Sequence, residues 1–288
     1  MAKPEELIID AAGMAATLNE RVFGQAQVTA AVAYFLAGRW GQSQPGRPLA
    51  NLLFAGPPGC GKTELAKALA AYLYPQERPI ARFDCVEFRQ DWDARALVER
   101  LTRWADRDRR GVLLFEGLER AGSPMLDVLE RVMGSGDVAD FTQSIVILTT
   151  NRRSEAIAKL REECSDPGEL AKAVKGELLS TGSFRREVMD LVEEVLVLRP
   201  PDSLALAQIA VRTMIEMAAE YGLELTHVDP AVILTQVESA KAGNCGARGL
   251  QQEVYSTLAE YLLAAKESGV QRARFQMDPD NVIALVED

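Results

Sequence analysis

The sequence is poor in the residues that bind transition metals or form disulfides. In 288 residues it has one histidine, His227, and four cysteines. The cysteines, Cys60, Cys85, Cys164 and Cys245, lie far apart and form no Cys-x-x-Cys pair. A common structural zinc site needs four closely spaced ligands, and a disulfide scaffold needs a much higher cysteine content. These shortages exclude a zinc-finger or disulfide-rich protein and predict reduced cysteines in a cytoplasmic protein.

Long hydrophobic runs are also missing. No stretch reaches the ~18 consecutive apolar residues that a membrane-spanning helix needs. The first residues, "MAKPEELIIDAAGMAATLNERVFG", contain early carboxylates and no long apolar segment of the kind found in a signal peptide. The sequence therefore predicts neither export nor membrane insertion.

Positive charge is in deficit. There are 32 lysines and arginines against 42 aspartates and glutamates, for a formal net charge of -10. A surface of this sign repels phosphate backbones unless a local basic patch intervenes. Nucleic acid is therefore a disfavoured partner.

The rest of the composition is that of a folded protein. Hydrophobic residues make up 48% and charged residues 26% of the chain, which is typical of globular domains. The length suits one large and one small domain, each with its own core. The pattern of apolar residues changes near residue 200, which predicts domains at 1–200 and 201–288.

Strands and helices alternate in the first 200 residues. Two helices come first, over 5–19 and 28–40, because apolar residues recur there at helical spacing. The alternation that follows is typical of a parallel sheet with helices on both faces. Strands are predicted at 51–56, 80–88, 111–116, 144–151 and within 193–202, and helices between them at 63–74, 93–109 and 123–136, the last with Ser123 as its N-cap.

Beyond residue 200 the pattern is mostly helical. Helices are predicted at 203–222, 229–243 and 247–268. The end, "ARFQMDPDNVIALVED", is predicted to form two short strands about an Asp-Pro-Asp-Asn turn. The second domain should therefore be small and mainly helical, with a short C-terminal hairpin.

The segment "GPPGCGKT", from Gly56 to Thr63, matches the phosphate-loop pattern Gly-x-x-x-x-Gly-Lys-[Ser/Thr] and lies between a predicted strand and a predicted helix. Its glycines let backbone N–H groups turn toward phosphate oxygens, and the helix directs its positive end at them. Lys62 should reach the outer phosphates, and the Thr63 hydroxyl should bind Mg²⁺. The sequence therefore predicts a site for ATP or ADP with Mg²⁺, whose contacts include Pro58, Gly59, Cys60, Gly61, Lys62, Thr63 and Glu64.

Several segments in order along the chain resemble one known family. They are "ERVFGQAQVTAAV", "GPPGCGKTELAKALAAYLY", "RFDCVEF", "VLLFEGLERA", "SIVILTTN", "SFRREVMDLVEEVLVLRP" and "GARGLQQEV". Together they resemble the AAA+ domains of Clp-type protein unfoldases, specifically those of the second ATPase ring. The resemblance covers nearly the whole chain. It implies a three-layer α/β P-loop NTPase domain with a parallel sheet, followed by a small helical lid domain.

The resemblance also implies roles for residues outside the phosphate loop. Val22, Phe23 and Gly24 occupy the segment that lies against adenine in this family. Asn151 takes the sensor position that orients the attacking water. Arg248 takes the position of the lid arginine that contacts the outer phosphate.

The strand "GVLLFE" departs from the family pattern. The family pattern here is, in order, four apolar residues, Asp-Glu, an apolar residue and Glu-Lys-Ala. The tail "LERA" of this sequence matches the end of that pattern and so fixes the alignment. Glu116 then falls on the magnesium-side aspartate, and Gly117 falls on the catalytic glutamate. Shifting the alignment by one residue makes Glu116 the catalytic group and leaves Phe115 on the magnesium side. Either alignment lacks one carboxylate, which predicts retained binding and slow hydrolysis.

A second departure concerns the arginine that reaches into a neighbouring subunit's site. The family pattern Phe-x-Pro-Glu-x-x-Asn-Arg is "FRREVMDL" here, so Leu191 replaces that arginine. Arg185, Arg186 or the pair Arg152 and Arg153 could substitute from another subunit, although exposed arginines are more often simply solvated.

A third departure concerns the loop that grips polypeptide in the pore of the ring. The family has a Gly-aromatic-Val-Gly loop, whereas "RQDWDARALVERLTRWADRDRR" at 89–110 is shorter and has no glycine. Trp92 and Trp104 are aromatic, but their helical spacing favours packing. Threading of polypeptide is therefore disfavoured.

Three functions remain to be compared. The first is an ATP-binding AAA+ module that works with protein partners, itself or an active paralogue, in which ATP clamps the lid to the core. The second is an active chaperone-type ATPase in which Glu116 and a substitute arginine support hydrolysis. The third, a DNA-directed loader, is disfavoured by the acidic charge and by the lack of a recognisable DNA-binding module. Ring, filament and monomer all remain open.

Overall fold

The computed structural model describes residues 9–42, 46–75, 80–107, 110–135, 137–242, 246–278 and 283–287. The chain folds as two compact units. The first comprises Met1–Pro57 and Gly61–Arg199, and the second comprises Pro58–Cys60 and Pro200–Asp288.

The first unit contains a five-stranded parallel sheet. Its strands are β1 (Ala50–Ala55), β2 (Ile80–Asp84), β3 (Arg110–Glu116), β4 (Gln143–Thr150) and β5 (Glu194–Val197). The strand order is β2-β3-β4-β1-β5. Because every pair is parallel, the carboxyl ends of all the strands lie along one edge, where loops collect the site residues.

Burial on both faces explains why these strands are continuous apolar runs. All six residues of β1 are buried, and so are all residues of β4 except the first. A parallel sheet has this pattern when helices cover both of its faces. The helices of the first unit are α1 (Ala11–Asn19), α2 (Ala26–Arg39), α3 (Lys62–Leu73), α4 (Asp91–Arg107), α5 (Ser123–Glu130), α6 (Ser154–Glu163), α7 (Pro167–Leu179) and α8 (Arg186–Asp190).

The second predicted strand is shorter in the structure than the sequence suggested. It ends at Asp84, and Cys85–Glu87 form a 3₁₀ turn instead of continuing to residue 88. The Asp84 carboxylate accepts a hydrogen bond from the backbone N–H of Val86 at 3.1 Å. This local bond favours a turn over a continued ladder.

The start and end of α5 also differ from the prediction. Ser123 is the first helical residue, and Gly122 is the N-cap, without a side-chain bond. A Cβ at Gly122 would lie 2.3 Å from the Arg89 carbonyl oxygen, so only glycine fits this close backbone approach. The helix ends at Glu130, and a π-helical turn, Arg131–Ser135, follows.

Three helices that the sequence pattern did not predict, α6, α7 and α8, follow β4. A signal for α7 was present in "DPGE", because the Asp166 carboxylate accepts from the Glu169 N–H at 2.8 Å. Asp-x-x-Glu with proline in the first turn is a recognised helix start.

The second unit packs three helices with a small sheet. The helices are α9 (Ser203–Glu220), α10 (Pro230–Ala242) and α11 (Ala247–Glu267), and the strands are β6 (Glu224–Val228), β7 (Arg272–Met277) and β8 (Ile283–Glu287). The predicted hairpin is present as the antiparallel pair β7 and β8, although residues 279–282 of its turn lie outside the described ranges. Strand β6, which pairs parallel to β7, was missed because it is short and partly exposed.

The two tryptophans of α4 behave differently. Trp104 packs against the core of the first unit, with its ring 6.4 Å from that of Phe141, as predicted. The prediction that Trp92 packs is wrong, because it is 73% exposed. Trp92 lies five residues before buried Leu97, about 140° around the helix at 100° per residue.

Among the described residues, no helix has the length and apolar character needed to cross a bilayer.

Candidate nucleotide site

The predicted phosphate loop joins β1 to α3 and folds around the side chain of Lys62. The Lys62 Nζ donates to the carbonyl oxygens of Gly56 and Pro57, both at 2.7 Å, and the residue is only 8% exposed. Gly61, the N-cap of α3, has φ 99°, and a Cβ there would lie 3.4 Å from Val22 Cγ1. A left-handed backbone of this kind favours glycine. The loop therefore holds an ammonium group at the start of a helix, an arrangement that suits a polyphosphate.

Thr63 and Glu116 meet across the site. The Thr63 hydroxyl donates to Glu116 Oε1 at 2.5 Å. The other carboxylate oxygen, Oε2, accepts from Nε and Nη2 of Arg82 at 3.1 and 2.5 Å. Arg82 lies on β2 and Glu116 ends β3, two strands that pair directly. Both oxygens of Glu116 are therefore engaged, one by the loop helix and one by the neighbouring strand.

The residues present fit a nucleotide-bound Mg²⁺. The hydroxyl oxygen of Thr63 and the carboxylate of Glu116 converge, and both are hard oxygen ligands. The described residues contain no group of three or more His, Cys, Asp or Glu side chains that could hold a metal ion. Mg²⁺ is commonly held by one or two protein oxygens together with substrate phosphates and water. The site therefore suits a cation that arrives with its nucleotide.

Gly117 follows Glu116 in a left-handed conformation, with φ 73° and ψ 55°. Its N–H donates to the Thr149 hydroxyl of β4 at 3.2 Å. Because glycine has no side chain, this position contributes no acid or base to the site. Glu116 is thus the one carboxylate of the β3 terminus, as the sequence indicated.

The sensor position lies on the same sheet edge as the phosphate loop. The N–H of Gly56 donates to the carbonyl of Thr150, the last residue of β4, at 3.3 Å. Asn151 follows directly and is exposed. The structure therefore brings Asn151 to the edge that carries Lys62 and Glu116, while its role in orienting water stays a prediction.

The other predicted contacts are distributed over both units. Val22 is buried and Phe23 is partly buried in the segment after α1. Glu64, in the first turn of α3, has an oxygen 3.5 Å from Lys67 Nζ. Arg248 is exposed in the first turn of α11, in the second unit. The adenine and outer-phosphate roles of these residues stay predictions.

Leu191, at the position of the family's trans-acting arginine, packs within its own unit. A Cβ at Gly134 would lie 3.2 Å from Leu191 Cδ1, and the Leu191 carbonyl accepts from Asn51 Nδ2 at 3.2 Å. Two candidate substitutes already have carboxylate partners: Arg185 pairs with Asp127, and Arg153 Nε lies 2.5 Å from Glu177 Oε1. Arg152 and Arg186 are exposed.

Sequence reasoning missed Arg82, Asp84 and Arg120 as part of this edge. Arg120 Nη2 donates to Asp84 Oδ1 at 2.8 Å, and Asp84 stands opposite Glu116 in the β2–β3 register. One signal was available for Arg82. It is a cation two residues before Asp84 in a predicted strand, and side chains two apart share one face of the sheet.

The described cysteines differ in exposure. Burial, followed by the nearby carboxylates of Asp84 and Glu119, raises the pKa of Cys85 well above its usual range. Cys60 in the phosphate loop is also buried, whereas Cys164 is partly exposed. Cys245 lies outside the described residues. Because the thiolate is the reactive form, these environments predict unequal reactivity.

We expect iodoacetamide at pH 8 to alkylate Cys164 at least about tenfold faster than Cys85. The rates are measured by mass spectrometry of tryptic peptides from the folded protein. Urea-unfolded protein is the control, in which the two rates should become similar. Equal rates in the folded state would contradict the burial of Cys85.

The chain matches a known family over about half of its length. A family model described as AAA domain (Cdc48 subfamily) covers residues 47–196. Chaperone protein ClpB 2 of Parasynechococcus marenigrum is 30% identical over 296 residues, which cover 93% of this chain and 33% of that protein. Chloroplastic chaperone protein ClpC4 of Oryza sativa subsp. japonica is 32% identical over 281 residues, covering 86% of this chain and 30% of that protein. The chain thus spans about a third of the length of the curated relatives it matches.

A solved structure supports the fold. A closed-state cryo-EM reconstruction of Hsp104 with ATPγS and FITC casein matches with a TM-score of 0.76 and 21% identity, over 96% of this chain and 51% of that chain. This likeness confirms the predicted α/β class with its parallel sheet. The family model and the curated relatives show that the chain belongs to the AAA+ ATPases and resembles their Clp-type unfoldases.

Proposed function

We propose that this chain is a Mg-ATP-binding AAA+ module of Clp type that works with protein partners and hydrolyses ATP slowly or not at all. The observation that carries the proposal is the sheet edge at Glu116. Lys62 Nζ donates to the Gly56 carbonyl, Glu116 is bonded to Thr63 and Arg82, and Gly117 follows with no side chain. Lys62 and Thr63 support retained nucleotide binding, whereas Gly117 offers no side chain that could activate water.

The sizes of two rate contributions favour slow ATP turnover. A positioned general base typically contributes ~10²–10⁴-fold in rate, and an arginine from a neighbouring subunit contributes ~10³–10⁵-fold where present. Gly117 and Leu191 occupy the positions of these two groups in the resemblance. Either loss alone would place the rate well below that of a working ATPase.

The partner and the location are part of the same proposal. Named relatives are chaperones, which supports a protein rather than a nucleic acid as partner, and the net charge of -10 agrees. The partner is a polypeptide, a second copy of this chain, or an active AAA+ relative that supplies the missing groups. A cytoplasmic location stays a prediction, since some relatives are chloroplastic.

A second function is an active ATP-hydrolysing chaperone. It is favoured by the exposure of Arg152 and Arg186, which leaves both side chains accessible to another subunit's site. In that function Glu116 would act on water, and one of these arginines would take the role lost at Leu191.

A steady-state phosphate-release assay with Mg-ATP separates the two functions. We expect turnover far below about one per second, with the Lys62→Ala protein as the blank for contaminating ATPases. Chromatography of the nucleotide that copurifies with the chain should recover ATP or ADP. Turnover near one per second, absent from the blank, would establish the active chaperone instead. Failure to bind any adenine nucleotide would refute both.

A further inference from the structure

The space beside Gly117 is filled by the side chain of Arg120. A Cβ at Gly117 would lie 2.4 Å from Arg120 Nη2 and 2.5 Å from its Nε. The 3₁₀ turn Leu118–Arg120 explains this position, because the Arg120 N–H donates to the Gly117 carbonyl at 2.9 Å. The turn folds the guanidinium back over the glycine.

Asp84 holds the guanidinium in this position. Arg120 Nη2 donates to Asp84 Oδ1 at 2.8 Å, and Asp84 is opposite Glu116 across the two paired strands. Glu116 in turn pairs with Arg82. Two carboxylates and two arginines therefore alternate at the carboxyl ends of β2 and β3, and each carboxylate has a cation.

We propose that the pair Gly117 and Arg120, rather than Gly117 alone, sets the hydrolytic competence of this site, with Arg120 as a positioning residue that Asp84 holds in place. This inference rests on the proposed function. A Cβ at position 117 would lie 2.4 Å from Arg120 Nη2, so the guanidinium must shift to admit any side chain there. The carboxylate of a glutamate at this position then lies within reach of the displaced guanidinium, and we expect the two to form an ion pair. A carboxylate paired in this way is stabilised in its charged form and is held away from water.

The step at issue is hydrolysis of the terminal phosphate. The oxygen of water bonds to the terminal phosphorus, the bridging P–O bond breaks with its electrons going to ADP, and the proton of water goes to the carboxylate. Only a carboxylate that is free to contact water can take this proton. Removing the guanidinium should therefore be required before a carboxylate at position 117 can act.

The experiment compares wild type, Gly117→Glu, Arg120→Met, the double variant Gly117→Glu/Arg120→Met, and the control Gly117→Glu/Arg131→Met. Methionine keeps most of the length of arginine without its charge. Arg131 is a matched control, because it is 47% exposed and pairs with Asp137, while Arg120 is 45% exposed and pairs with Asp84. The strain of a non-glycine residue at φ 73° is common to all Gly117→Glu variants, so it cancels in the comparison.

Phosphate release and nucleotide affinity are measured for each protein. We expect the Gly117→Glu/Arg120→Met protein to have a kcat about tenfold or more above that of Gly117→Glu, with nucleotide Kd within about threefold, since the phosphate loop is unchanged. The Arg131 control should match Gly117→Glu. An equal kcat in Gly117→Glu and in the double variant, with both folded and binding nucleotide, would overturn the proposal.

A second measurement tests the proposal if the Gly117→Glu variants fail to fold. Thermal unfolding without nucleotide is compared for Gly117→Ala, Arg120→Ala and both together. We expect the drop in Tm caused by the alanine at position 117 to be smaller in the Arg120→Ala background, because no side-chain end remains there for the new methyl group to meet. Equal drops in both backgrounds would refute the contact. This change in Tm does not depend on wild-type turnover. A fast wild-type enzyme would therefore refute the proposed function, while the Tm values would still show whether residues 117 and 120 are coupled.

Discussion

Replacing Lys62 with alanine should weaken Mg-ATP binding by about 10- to 100-fold. The change removes a charged donor that the loop holds at 2.7 Å from two of its own carbonyl oxygens. A hydrogen bond from a charged group contributes about 1.5–3 kcal/mol, and each ~1.4 kcal/mol corresponds to a factor of ten in Kd. Titration with a fluorescent ATP analogue in the presence of Mg²⁺ measures the change.

Lys67→Ala is the matched control for this substitution. Lys67 lies on the same helix, but its side chain is 47% exposed and its Nζ is 3.5 Å from Glu64. Its loss should change Kd less than about threefold, because exposed pairs contribute little. Saturating ATP should also stabilise wild type, by ~4 kcal/mol at a thousandfold excess over Kd, and at the same ATP concentration this stabilisation should fall to about 1.4–2.7 kcal/mol in Lys62→Ala. Equal Kd values for the two variants would contradict the assigned role of Lys62.

Replacing Phe115 with alanine should destabilise the first unit by about 3–5 kcal/mol, the range for truncating a fully buried phenylalanine. Phe115 lies on β3, between β2 and β4, and is 0% exposed. Its ring stacks on that of Phe83 with centroids 4.9 Å apart. It also precedes Glu116, so its loss should loosen the end of β3 at the site.

Urea unfolding followed by tryptophan fluorescence measures this effect in the first unit alone, because the three tryptophans, Trp40, Trp92 and Trp104, all belong to it. Trp92→Ala is the control. It also truncates a large aromatic residue, but at a position that is 73% exposed, so a change within about 0.5 kcal/mol is expected. A Phe115→Ala effect as small as that of Trp92→Ala would show that the β3 core is packed differently.

The binding half of the site could be predicted from the sequence because it is nearly contiguous. Lys62, Thr63 and the glycines before them lie within one loop and the first turn of one helix, where spacing along the chain largely determines spacing in space. Strands β1, β3 and β4 were equally predictable, because sheets covered on both faces require unbroken apolar runs. The position of Glu116 at the end of such a run placed it at the carboxyl edge.

The residues that surround Glu116 could not be assigned in the same way. Arg82 and Asp84 come from a strand some thirty residues earlier, and they reach Glu116 only because β2 pairs with β3 in one particular register. The failed prediction for Trp92 has a similar origin, since helical spacing alone does not say where the buried face of α4 begins. Strand β6 was missed because it is short and partly exposed, and its pairing with β7, more than forty residues later, leaves no local signal.

The sequence by itself determined the phosphate loop, the parallel α/β class, and the absence of a second carboxylate after Glu116, since each is encoded by neighbouring residues. Tertiary structure decided what occupies the space beside Gly117. The pairing of β2 with β3 and the turn after Gly117 bring Arg120 and Asp84 together. Hydrogen bonds between strands create such contacts between residues that lie far apart along the chain, and no local sequence pattern encodes them.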